Sequence, residues 1–142
     1  MDNLCQKKIG NILVYGTEGF ISDVSWALSL VLSKDSLSWK RIQENLTEIV
    51  ESQHTGVYCE SGIFNLKNNR LLPIAWTASV LVHESWHVEY FLTGKTYEGE
   101  EAEKGCMEKQ NEFLEKTGHP KINIEDMLKT RYWEVPHEQR DW

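Results

Sequence analysis

A chain of 142 residues and 16.6 kDa, 40% hydrophobic and 26% charged with six Trp, has the size and apolar content of one domain with a core (1–142). Disordered, collagen-like and coiled-coil readings fit these numbers poorly. Lys and Arg total 15 against 22 Asp and Glu, and the net charge of −7 leaves no basic surplus to displace counterions from phosphates, so a nucleic-acid partner is not expected.

Nor is a membrane. The N-terminus, MDNLCQKKIG, lacks an apolar signal core, and no stretch approaches the roughly 18 apolar residues of a spanning helix. Cys5, Cys59 and Cys106 are odd in number and contain no CxxC pair, which argues against a disulfide framework or a cysteine zinc knuckle. The expected compartment is the cytoplasm.

In chain order, residues 12–15 (ILVY), closed by Gly16, read as a short strand. Residues 21–32 place Val24, Leu28, Val31 and Leu32 on one helical face. Asp35 or Ser36 can cap a second helix, 37–51, with Ile42, Leu46, Ile49 and Val50 on its apolar side. Residues 57–66, rich in β-formers and interrupted by Ser61-Gly62, predict one bent strand or a hairpin. Pro73 suits the start of the most apolar helix, 74–92, which Gly94 stops. A further helix, 98–117, opens on acidic residues that complement its dipole and ends at Gly118, although Gly99 and Gly105 allow a later start. From Pro120 onward one short helix (124–130) precedes an irregular aromatic tail. The chain thus divides into an N-terminal strand and helices (1–54), a sheet edge with two long helices (55–118) and a tail (119–142). The expected class is α+β, mainly helical, with a small sheet before the apolar helix.

Within that helix lies His83-Glu84-Ser85-Trp86-His87, a match to HExxH that chance would supply about 0.02 times in a chain of this composition. Residues i and i+4 share a helical face, so two imidazoles one turn apart can grip one tetrahedral Zn²⁺. Glu84 projects about 100° round from His83, where it can take a proton from a zinc-bound water. Ser85 and Glu89 share a stripe with Ala78, whereas His83 and His87 fall opposite, among Trp76, Val80, Tyr90 and Phe91, with Ser79 as their nearest polar neighbour. Two imidazoles and a carboxylate are expensive to bury unless something binds them. The plainer reading makes them core histidines satisfied by backbone carbonyls, with Glu84 in a salt bridge.

A catalytic zinc needs three protein ligands. A glycine followed by a further histidine, as in metzincins, is absent, since Tyr90 and Thr93 stand there. The next helix has an apolar face through Ala102, Cys106, Met107, Gln110, Phe113 and Leu114, and Glu103 lies on it, three before Cys106. Glu103 is therefore the first candidate ligand and Glu100, one turn earlier, the second; Glu101 shares a solvent stripe with Glu108 and Glu112. Cys106 reads as a small buried residue between helices.

These residues (HESWH, the loop from Gly94, then Glu103, Cys106, Gln110, Phe113 and Leu114) resemble a small gluzincin-type zinc metallopeptidase, close to compact bacterial zincin-like proteins, over residues 57–118. The resemblance implies a zincin-like fold with His83, His87 and Glu103 as zinc ligands, Glu84 as general base, and residues 62–66 as the edge strand that receives an extended peptide. It implies a peptide or protein substrate.

An electrophile for the developing oxyanion can be sought in Tyr97, Arg131, Tyr132 and His137. We pair Tyr132 with Glu84, although the sequence alone does not separate the four, and Tyr132 and Trp133 could equally dock the tail on the core. His119, beside Pro120, reads as a capping or surface residue, and His54 as a loop residue. Besides a peptidase, the residues allow a zincin-like module that holds zinc and binds peptides or proteins without cutting them, or an interaction protein whose HExxH is accidental.

Overall fold

The computed structural model describes residues 3–68, 72–136 and 139. Among them are five strands, β1 (Cys5–Ile9), β2 (Ile12–Gly16), β3 (Glu48–Ser52), β4 (Gly56–Tyr58) and β5 (Ile63–Lys67). The helices are α1 (Glu18–Lys34), α2 (Ser36–Asn45), α3 (Ile74–Leu92), α4 (Glu100–Thr117) and α5 (Ile124–Thr130), with a 3₁₀ turn at Tyr132–Glu134. The class is α+β, mainly helical with one small mixed sheet.

The sheet runs β1-β2-β3-β5-β4. Strands β2, β3 and β5 are parallel, with Val14 opposite Ile49 and Ile49 opposite Phe64, while β1 and β4 flank them antiparallel. Burial alternates along β2 and β5, the signature of a sheet with one face on the core. Ile12, Val14, Ile49 and Phe64 meet Phe20, Val24, Leu28 and Val31 of α1 there. Helix α3 is apolar nearly all round because it packs against α1, α2 and α4. Its Ala78 and Ser85 stripe is fully buried, and the Ser85 carbonyl accepts from Asn45 Nδ2 at 3.1 Å.

The structure corrects several of these expectations. The second helix stops at Asn45, and the remainder of residues 37–51 forms β3. Leu46 turns extended, and the β-branched Ile49 and Val50 pair with strands on both sides, so tertiary pairing overrides a helical period that the apolar spacing alone cannot exclude. Of the two forms expected for residues 57–66, the hairpin is the one found, but residues 62–66 are not a sheet edge: β5 lies between β3 and β4, and the edge on that side is β4. Strand β1 was not foreseen, because its Gln6, Lys7 and Lys8 are exposed and carry no apolar alternation.

The helix ends follow local chemistry. Thr17 caps α1 through the Phe20 amide, so that helix begins before residue 21. Asp35 caps α2 by accepting from the Ser38 amide at 3.2 Å and the Ser38 hydroxyl at 2.7 Å. Helix α4 starts at Glu100, after Gly99 at φ +91°, rather than at Glu98. Its end at left-handed Gly118 is as predicted.

Candidate metal centre

Helices α3 and α4 lie side by side and bring His83, His87 and Glu103 to one point. Each residue is less than a tenth exposed. His83 Nε2 lies 3.1 Å from Glu103 Oε2, His87 Nε2 lies 3.1 Å from Oε1, and the two Nε2 atoms are 3.3 Å apart. Glu100 is exposed at the helix start, so of the two candidate carboxylates it is Glu103 that meets the imidazoles.

The far side of each ring determines its tautomer. The Ser79 hydroxyl donates to the Trp76 carbonyl at 2.7 Å, leaving its oxygen to accept from Gln110 Nε2 at 3.0 Å. That orients the Gln110 amide with Oε1 toward His83 Nδ1 at 2.8 Å, so the Nδ1 must carry a proton and donate it. His87 Nδ1 likewise donates to the Tyr97 carbonyl at 2.8 Å. In the neutral rings both Nε2 lone pairs then point at each other and at a carboxylate, an arrangement that needs a positive charge between its members. Metal-ligating histidines are held in just this way by partners on the other nitrogen.

The spacing suits an ion. With zinc–ligand distances of about 2.0–2.1 Å, neighbouring donors on a tetrahedron lie about 3.3 Å apart. Charge perturbations point the same way. Burial pushes the Glu103 carboxyl up, but bonds from His83 and His87 and their charges outweigh it and hold the group far below the carboxylate range. Burial pushes His87 down, yet bonds to Cys106 and Glu103 and the charge of Glu84 raise it well above its usual value. The centre thus stabilises a cationic occupant, a proton or a metal ion.

Cys106, one turn beyond Glu103, is fully buried. The ligand atoms of His83, His87 and Cys106 all lie within 4.8 Å of one another, a group that can hold a metal ion. Cys106 is buried between the helices as expected from the sequence, and its sulfur also stands near both imidazoles. The sequence did not single out Gln110 as a partner; a polar residue on an otherwise apolar helix face was the signal.

Beside the centre opens a cleft of about 740 Å³. Glu84, half-buried, lines it together with Tyr132, Trp76, Val80, Met107 and Trp133, and the edge strand contributes Val57. The Tyr132 hydroxyl donates to Glu103 Oε2, and burial, then the Glu103 charge, push the phenol far above its ordinary value. The tail reaches this position because Asn111 clamps Ile122, its Nδ2 donating to the Ile122 carbonyl at 3.0 Å and its Oδ1 accepting from the Ile122 amide at 2.7 Å. Cys59 is at the cleft wall, its thiol pushed up to about 11 by burial.

The other electrophile candidates are placed differently. Tyr97 lines the cleft, but its ring packs edge-on against Phe91 and its carbonyl serves His87. Arg131 is exposed and paired with Glu134. His137 lies outside the described residues. His119 bonds the Pro120 carbonyl at 2.8 Å near Trp76, away from the donor set.

No described helix is long and apolar enough to cross a membrane. No protein family, curated protein or solved structure matches this chain, so the reading of its site rests on geometry. A buried group of two histidines and a cysteine, joined by a carboxylate, forms a candidate metal centre at the wall of a largely apolar cleft.

Proposed function

We propose that the protein is a zinc-dependent peptidase in which His83, His87 and Glu103 hold the ion and Glu84 is the general base. The observation that carries this reading is the ring formed by two Nε2 atoms, 3.3 Å apart, and the two Glu103 carboxylate oxygens, each 3.1 Å from one of them, with both Nδ1 protons committed elsewhere. Bound zinc would supply Lewis acidity toward a carbonyl oxygen and a more acidic water.

The chain's own groups would do the rest. Glu84 neighbours the ligands without joining them and faces the cleft, where it accepts the proton of the attacking water and returns it to the leaving amine. Tyr132 presents a phenol that stays protonated, the state required of a donor to an oxyanion. The apolar cleft would take side chains of the substrate, and the edge strand β4 would pair with its backbone. Three free cysteines favour a reducing compartment, the cytoplasm.

The test is purified full-length protein analysed for metal and incubated with a peptide library. About one zinc per chain is expected, with Glu84→Gln keeping the metal and losing cleavage. Undiminished cleavage by that variant would remove the proposed base, and a protein that takes up no zinc would remove the reading. Zinc retained with no cleavage by the wild type would favour the binding module.

A further inference from the structure

We propose that Cys106 is a fourth protein donor to the same ion, so that the resting centre is closed by two imidazoles, a carboxylate and a thiolate. This rests on the zinc reading above and concerns how that site is regulated.

Glu103 and Cys106 are three apart on α4 and so present their side chains to α3 together. All four donors are nearly inaccessible: His83 is 7% exposed, His87 6%, Glu103 8% and Cys106 0%. Buried free cysteines are common as small apolar fillers. Cys106 differs in that its sulfur shares one 4.8 Å cluster with a ligand nitrogen of each imidazole. A filler needs no such placement. Thiolate is a soft donor that zinc accepts readily, and a mixed set of four nitrogen, oxygen and sulfur donors is that of a closed site, whereas a catalytic site keeps one position open.

Binding exchanges the S–H bond for a sulfur–metal bond and gives the proton to solvent. Opening reverses the exchange: the sulfur takes a proton and leaves, and a coordination position becomes available to water. Cys106 would thereby hold a peptidase inactive until substrate or a shift of α4 displaces it.

The experiment is a titration of metal-free, full-length protein with Co²⁺ as a spectroscopic substitute for zinc. One equivalent should raise a near-ultraviolet sulfur-to-cobalt band in the wild type, in Cys5→Ser and in Cys59→Ser. The band should vanish in Cys106→Ser and Cys106→Ala while the weak visible cobalt absorption remains. Zinc affinity of the Cys106 variants should fall at least about tenfold. One equivalent of cobalt bound by the wild type without the sulfur band overturns the proposal and leaves the zinc-site reading standing. A band lost in Cys59→Ser instead also overturns it. No uptake of cobalt or zinc overturns both. If the Cys106 variants do not fold, a wild-type band that survives in both other cysteine variants carries the assignment.

Discussion

Gln110 Oε1 accepts the Nδ1 proton of His83 at 2.8 Å while the same amide donates to Ser79 Oγ at 3.0 Å, so a single side chain on α4 is threaded between two groups of α3. It ties the helices together across their buried contact and presents His83 Nε2 as a lone pair. Gln110→Leu should lower zinc affinity by about 10–100-fold, read by competition with a chromophoric chelator. Gln110→Glu, which still accepts from Nδ1, should recover most of the loss. Equal affinity in Gln110→Leu would show that His83 needs no such partner.

Tyr132 offers a separable prediction, because its hydroxyl contacts Glu103 yet lies at the cleft. Tyr132→Phe should retain zinc and lose about 10²–10³-fold in kcat, the usual cost of one oxyanion donor. Loss of zinc with kcat per bound metal unchanged would make Tyr132 a support for the Glu103 carboxylate instead.

Asp35 links the end of α1, the start of α2 and Lys116 of α4, whose Nζ is 3.1 Å from Oδ2. Burial raises its pKa, but bonds from the Ser38 hydroxyl and amide and from Lys116 outweigh this and hold it below its ordinary value. A carboxyl with a depressed folded-state pKa contributes fully above its unfolded value of about 3.9 and loses that contribution as pH falls through the folded-state value. Urea unfolding should therefore show Asp35→Asn less stable than the wild type near neutrality, with the gap closing below about pH 4. Asp35→Ala, which removes the cap, should cost about 0.5–2 kcal/mol at neutral pH.

Gly62 turns the β4–β5 hairpin at φ +76°, and a Cβ there would lie 2.5 Å from the Asn45 carbonyl oxygen. That oxygen is backbone at the end of α2 and has little room to retreat. Gly62→Ala should destabilise the protein by about 1–3 kcal/mol, measured by thermal and urea denaturation. An unchanged stability would mean that the hairpin and α2 separate freely.

Much of the framework was legible. The α3 boundaries follow from an apolar run between Pro73 and Gly94, and the end of α4 from Gly118, because these residues act locally through missing donors and left-handed backbone. The preference for Glu103 over Glu100 also came from spacing, since only Glu103 lies on the apolar face of its helix. Strands β1 and β3 were not legible. The first pairs along an exposed edge with no pattern to reveal it, and the second is strand only because β2 and β5 stand on either side.

The sequence by itself determined the paired imidazoles, the carboxylate beside them and an acid on the following helix, for helical periodicity places residues three or four apart on one face whatever surrounds them. Tertiary structure alone decided which polar groups hold the far nitrogens, that the Tyr132 hydroxyl comes from 29 residues away to meet Glu103, and that the Cys106 sulfur stands within 4.8 Å of both imidazoles. Those contacts cross between separate elements, and their distances depend on how α3, α4 and the tail pack rather than on any local rule.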